Sequence, residues 1–140
     1  MIFLNTDGGA RGNPGPSAVA FVLSDTEGKI LNSGGEYLGA ATNNFAEYKA
    51  LILGLTEALR NGYKTLTCRL DSELVVKQLS GEYSVKDVHL KDLYNHIQLL
   101  KKDFDFVSFN HVPRKENKEA DSLVNQVLDS QLSARETKTH

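Results

Sequence analysis

Residues 42–71, TNNFAEYKALILGLTEALRNGYKTLTCRLD, carry two periodicities back to back. Leu51, Ile52, Leu55 and Leu59 recur at helical spacing, and Ala46, Ala50, Leu53 and Ala58 widen the apolar surface. Asn43 or Asn44 is the expected cap of this helix. Glu47 follows Asn44 by three residues, as a capping-box glutamate would, and Gly62 stands just past the end. From Thr65 the pattern shifts to period two, with Leu66, Cys68 and Leu70 on one face and a terminal Asp71. A helix this apolar must pack deeply against a sheet. A strand, a long helix and another strand form a right-handed crossover, so the first strand and Thr65–Leu70 can lie parallel.

Working outward, residues 1–6 read as a short buried strand, followed by Asp7 and a glycine- and proline-rich turn. Ala18–Leu23 and Lys29–Tyr37 read as two strands of a hairpin, joined at Asp25-Thr26-Glu27-Gly28. Beyond Asp71, a short helix is expected over Ser72–Leu79. Leu93, Ile97 and Leu100 mark another helix over Leu90–Lys101. FDFVSFNHV is the last strand, and Ala120, Leu123, Val124 and Val127 make a final amphipathic helix. Residues 131–140 carry little apolar material and are expected to fray, leaving one domain over 1–130. The order β-β-β-α-β-α-α-β-α predicts a mixed sheet flanked by helices, in the α/β (α+β mixed) class.

Composition sets bounds. A chain of 140 residues can bury roughly 68–70% of its unfolded surface in one core. Sixteen basic against eighteen acidic residues, net −2, give no strong basic footprint. A polyanion would need a local basic patch or metal ions to screen it. One cysteine, Cys68, allows no internal disulfide and suits a reducing compartment. Nothing reads as a signal peptide or as the ~20 apolar residues of a membrane span, so a cytoplasmic protein is expected.

The chemistry gathers on carboxylates. Ligands in such sheets bind beyond the carboxyl ends of parallel strands, where Asp7 and Asp71 would stand about 5 Å apart across one strand spacing. Acids so close repel unless a cation lies between them. Each acid has a plainer role: Asp7 can start a turn, Asp71 can cap the helix at Ser72, Glu47 can complete a capping box, and Asp121 can favour a helix dipole. Together, the four acids are what a two-metal hydrolase needs, with cations roughly 3.5–4 Å apart on a phosphodiester. No Gly-Lys-Ser/Thr follows the glycine turn and no Gly-x-Ser-x-Gly elbow occurs, so a phosphate loop and serine-hydrolase chemistry have no support.

Four blocks, TDGGARGNPGPSAVAFV, TNNFAEYKALILGL, LDSELVVKQLSGEY and HVPRKENKEADSLVN, span residues 6–125 in order. Together they resemble ribonuclease H of type 1. The resemblance implies a five-stranded mixed sheet in the order 3-2-1-4-5. It also implies hydrolysis of the RNA strand of RNA/DNA hybrids, leaving 5′-phosphate and 3′-hydroxyl ends. It assigns the metal-binding acids to Asp7, Glu47, Asp71 and Asp121, with two Mg²⁺ ions and Mn²⁺ as a substitute. His111, ten residues before Asp121, matches a histidine that acts in proton transfer or product release. Asn13, Thr42, Asn43 and Asn44 match positions that touch sugars and phosphates, while Gly8, Gly9 and Ala10 match a turn that approaches the RNA 2′-hydroxyls.

The chain departs from that pattern in one place. Several bacterial members carry a lysine- and tryptophan-rich helix that grips the DNA strand. The corresponding SGEYSVKDVHLKDL is short, lacks tryptophan and offers only Lys86 and Lys91. Hybrid affinity should then be lower, or rest on other groups: Arg11, Arg114, Lys115 and Lys118, or Arg135 and Lys138 in the tail. So compact a monomer could also accept other RNA-containing duplexes. An actin-like ATPase lobe, an inactive nucleic-acid-binding module and a transposase-type nuclease are the competing readings.

Overall fold

The computed structural model describes the backbone of residues 1–138 and the side chains of residues 1–133. Five strands are present: β1 (Ile2–Ala10), β2 (Gly15–Ser24), β3 (Ile30–Ala41), β4 (Thr65–Leu70) and β5 (Phe106–His111). Four α-helices, α1 (Asn43–Arg60), α2 (Glu73–Leu79), α3 (Val88–Lys101) and α4 (Lys118–Lys138), complete the fold, with a 3₁₀ turn at Arg114–Glu116. The sheet order is β3-β2-β1-β4-β5. β1 is antiparallel to β2 and β2 to β3, whereas β1–β4 and β4–β5 are parallel. The crossover through α1 therefore has the expected consequence.

Period-two burial gives each sheet face its own partner. Leu4, Phe21, Leu23, Leu66, Cys68 and Leu70 pack with Leu51 and Leu55 of α1, Val75 of α2 and Ile97 of α3. The opposite face buries Ala18 and Ala20 under Val124 and Leu128 of α4. Each fully buried aliphatic side chain in this core contributes roughly 1.5–3 kcal/mol of transfer free energy. α1 lies close on β1 because each presents a glycine to the other. A Cβ on Gly54 would press into Leu4 and Thr6, and one on Gly8 would run into the Ala46 backbone.

Several boundaries differ from the sequence expectation. β1 does not stop at residue 6: Gly8, Gly9 and Ala10 pair with Val19, Ala18 and Ser17. The glycines are strand residues, and the turn falls later, where Gly12 takes φ +93°. Gly8 is demanded by close packing and not by turn geometry. Neither Asn43 nor Asn44 caps α1. Thr42 does, its hydroxyl accepting from Phe45 N–H at 3.2 Å, so both asparagines lie within the helix. Likewise Ser72 caps α2 by accepting from Val75 N–H at 3.3 Å, which leaves Asp71 free of that duty. α3 starts two residues early because Asp87 caps it through His89 and Leu90. α4 continues to Lys138, past its apolar stripe. Alanine, glutamine, glutamate, lysine and arginine in its last turns are favourable helix formers. The described backbone of α4 ends at Lys138, and residues 139–140 lie outside those described. The Arg135 and Lys138 side chains, considered for substrate grip, also lie outside the described side chains. No described helix is long and apolar enough to cross a membrane.

Candidate active site

The parallel ladder between β1 and β4 ends at Asn5 opposite Arg69. Beyond that point the strands no longer pair, and their next same-phase residues are Asp7 and Asp71. Glu47 enters from the first turns of α1. One carboxylate oxygen from each of Asp7, Glu47 and Asp71 falls within a 4.8 Å cluster. Glu47 is anchored by Gly8, whose N–H donates to Oε1 at 3.0 Å. Its role is therefore not that of a capping-box glutamate.

Burial makes this cluster electrostatically expensive. Asp7 and Glu47 are each only 7% exposed. Loss of water, then the charge of Asp71, pushes the Asp7 carboxyl from 3.8 up to about 7. Burial, followed by the charge of Asp7, holds Glu47 well above its ordinary value. Glu47 Oε2 is buried with no hydrogen-bond partner among the described residues. Buried polar atoms are normally paired, so an unpaired oxygen on a residue of this acidic cluster fits a cation. An oxygen-only donor set of carboxylates suits a hard divalent ion such as Mg²⁺.

Asp121, in the first turn of α4, lines the same cleft of about 460 Å³ as the other three acids. Its charge raises the Asp7 carboxyl further. Arg114 Nη2 donates to Asp121 Oδ1 at 3.3 Å, an exposed guanidinium meeting a half-buried carboxylate. Gly8, Gly9 and Ala10 form part of the wall, as do Asn43 and Asn44. Arg11 lines the cleft too, paired with Asp129 at 2.7 Å. Lys115 and Lys118 do not line it.

The remaining positions divide. Asn13, Thr42, Asn43 and Asn44 line a neighbouring depression of about 640 Å³, together with Asp87 and His89. Asn43 Oδ1 accepts from Ala10 N–H at 2.9 Å, and Asn13 Oδ1 accepts from Asn43 N–H at 3.0 Å. These bonds tie the end of β1 to the start of α1. His111 ends β5 opposite Leu70, is exposed, and does not line the acidic cleft. Asn125 and Leu128 of α4 line that cleft although sequence reasoning did not single them out. Their only signal was helical phase: they follow Asp121 by four and seven residues.

Comparison with known proteins gives a consistent picture. The family described as "Reverse transcriptase-like" matches residues 5–127. The chain is 46% identical over 123 residues to ribonuclease HI of Halobacterium salinarum, covering 88% of this chain and 62% of that protein. The crystal structure of RNase H1 from the same archaeon superposes with a TM-score of 0.90 at 43% identity, over 92% of this chain and 98% of that one. LC11-RNase H1, solved in complex with an RNA/DNA hybrid, also gives 0.90, at 40% identity over 94% and 99% of the two chains. The chain spans 62% of the halobacterial protein's length and 36% of three mycobacterial relatives that are 39% identical to it.

Proposed function

Because the chain belongs to the ribonuclease H type 1 family, we propose that it is a metal-dependent endoribonuclease that hydrolyses the RNA strand of RNA/DNA hybrids. The observation that carries this reading is the cluster of Asp7, Glu47 and Asp71 within 4.8 Å, with one buried oxygen unpaired. Likeness to a chain solved with an RNA/DNA hybrid adds the substrate class.

Asp7, Glu47, Asp71 and Asp121 are the residues that would hold two divalent ions, Mg²⁺ or Mn²⁺. Bound there, the ions would lower the pKa of an attacking water and neutralise charge on the phosphodiester. The chain's own part is to hold four carboxylates in place before the ions arrive, which removes reorganisation from the reaction. Water adds to phosphorus and the P–O3′ bond breaks, leaving a 5′-phosphate and a 3′-hydroxyl. His111, at the end of β5, is assigned to proton transfer or product release.

Gly8, Gly9 and Ala10 present a strand with little side chain, so an RNA backbone can approach and its 2′-hydroxyls can be sensed. Asn13, Thr42, Asn43 and Asn44 would meet sugars and phosphates along the adjoining depression. Other RNA-containing duplexes are secondary substrates in this reading. The protein is taken as a cytoplasmic monomer, a setting its single buried cysteine suits.

The test is cleavage of an RNA-labelled hybrid with Mg²⁺, Mn²⁺ or chelator, beside Asp7→Asn. Metal-dependent cutting of the RNA strand, lost in the variant, is expected. Hybrid binding without cutting under either metal would mark the protein as a binding module instead.

A further inference from the structure

Asn117 is a polar residue at 0% exposure, and it belongs to none of the groups assigned above. It stands between the 3₁₀ turn and α4. Its Nδ2 donates to the Thr6 carbonyl at 2.8 Å, and its Oδ1 accepts from Asn5 Nδ2 at 3.0 Å. The orientation of the amide follows from its partners, since a carbonyl can only accept. Asn5 Nδ2 reaches the Glu116 carbonyl as well, at 3.3 Å. On the helix side, the Asn117 carbonyl accepts from Asp121 N–H at 3.1 Å.

The location gives these bonds their meaning. The β1–β4 ladder stops at Asn5 and Arg69, which leaves the following stretch of β1 without a partner strand on that side. Asn117 takes the Thr6 carbonyl in that gap, one residue before Asp7, and its own carbonyl holds the turn bearing Asp121. A single buried residue thus joins two carboxylates separated by more than a hundred positions in sequence. Buried amide networks with every member satisfied are rigid and depend steeply on each partner.

We infer that Asn117, braced by Asn5, is a positioning residue that sets Asp121 relative to Asp7 for metal binding. The inference rests on the nuclease reading above. Asn117 does not line the acidic cleft; it acts through the two strand–helix attachments it joins.

The experiment compares wild type with Asn117→Ala, Asn117→Asp and Asn5→Ala. Ile97→Ala, a core substitution on the opposite face of the sheet, serves as a control for lost stability. Mn²⁺ affinity is read by titration calorimetry without substrate, and kcat and KM are read on a hybrid. Asn117→Ala and Asn117→Asp should each weaken Mn²⁺ binding about tenfold and lower kcat at least as much, with KM within about twofold. Asn5→Ala should fall between them and wild type, because it leaves the Asn117–Thr6 bond in place. Ile97→Ala should unfold at lower temperature yet keep Mn²⁺ affinity and kcat.

Mn²⁺ affinity and kcat within twofold of wild type in a folded Asn117 variant would overturn the inference. So would equal losses in Ile97→Ala. Should both Asn117 variants fail to fold, unchanged Mn²⁺ affinity in Asn5→Ala would overturn it alone. A wild type that neither binds Mn²⁺ nor cuts hybrid would sink the nuclease reading and this inference with it. A wild type that does both while Asn117→Ala matches it sinks only the inference.

Discussion

Gly8 of β1 and Glu47 of α1 are joined by one hydrogen bond, N–H to Oε1 at 3.0 Å. The contact sets how near Glu47 comes to Asp7, because any Cβ at residue 8 would collide with the Ala46 backbone. A backbone obstacle cannot rotate away as a flexible side chain can. Gly8→Ala should therefore push α1 off the strand, with a stability loss of about 1–3 kcal/mol from overpacking. Hybrid cleavage should fall by about a hundredfold, since misplacement by 1 Å can cost that much. Thermal unfolding and single-turnover cleavage measure the two effects separately.

Metal-free stability should depend on pH in a direction set by Asp7. Its folded value of about 7 lies above the ordinary 3.8, so the folded state holds a proton that the unfolded chain has released. Stability from this group is fully present below about pH 4 and is lost as pH rises through 7. The shift corresponds to about 4 kcal/mol at full extent. Asp7→Asn removes the charge, so the variant should be more stable than metal-free wild type, by a gap that opens between pH 4 and 7. Chemical denaturation of both proteins in chelator at pH 4.5, 6 and 8 checks this. Saturating Mg²⁺ should shrink the gap in wild type and leave Asp7→Asn largely unmoved.

Much of this architecture was legible because its signals are local and periodic. Leu66, Cys68 and Leu70 announce a strand by alternation, and Leu51, Ile52, Leu55 and Leu59 announce the helix that crosses over to it. Once that crossover is read, Asp7 and Asp71 must share one end of a parallel pair. Glu47 and Asp121 were harder to place from patterning alone, because both positions suit ordinary helix-terminal roles. Their block spacing supplied what periodicity did not. The end of β1 was misjudged for a physical reason: glycines signal turns in sequence, yet Gly8 is required by a helix packed across the strand. Asn117 left no signal at all. Its partners, Asn5 and Thr6, lie at the other end of the chain, and a buried amide between lysines and glutamates reads as solvated loop.

Asn43 should affect binding more than chemistry. Its Oδ1 is committed to Ala10 N–H at 2.9 Å, and its backbone N–H to Asn13 at 3.0 Å, so its side-chain amino group is the part left to meet substrate. Asn43→Asp keeps the acceptor and loses that donor, and it adds a negative charge beside a polyanion. KM on hybrid should rise about tenfold with kcat changed less than threefold. Asn13→Ala should raise KM less, by loosening Asn43 without removing it. Steady-state kinetics on the three proteins decides; a fall in kcat alone for Asn43→Asp would place the residue in the chemical step instead.

Of the two described cations that line the acidic cleft, Arg11 and Arg114, Arg11 is the one not paired with a proposed metal-binding acid. It lines the acidic cleft, and its pairing with Asp129 is made between side chains 37% and 69% exposed. Exposed pairs of this kind contribute about 0–1 kcal/mol, so a substrate phosphate can take the guanidinium from Asp129 at little cost. Arg offers a bidentate fork for such an oxygen pair, and each phosphate neutralised adds close to one to the slope of log affinity against log salt. Arg11→Ala should raise KM about fivefold at low salt, leave kcat within twofold, and reduce the salt slope by about one. Asp129→Asn should act the other way, lowering KM by freeing the arginine. Hybrid binding measured from 50 to 300 mM salt separates this from a structural tie between the β1–β2 turn and α4, since a tie would alter thermal stability in both variants and leave the slope unchanged.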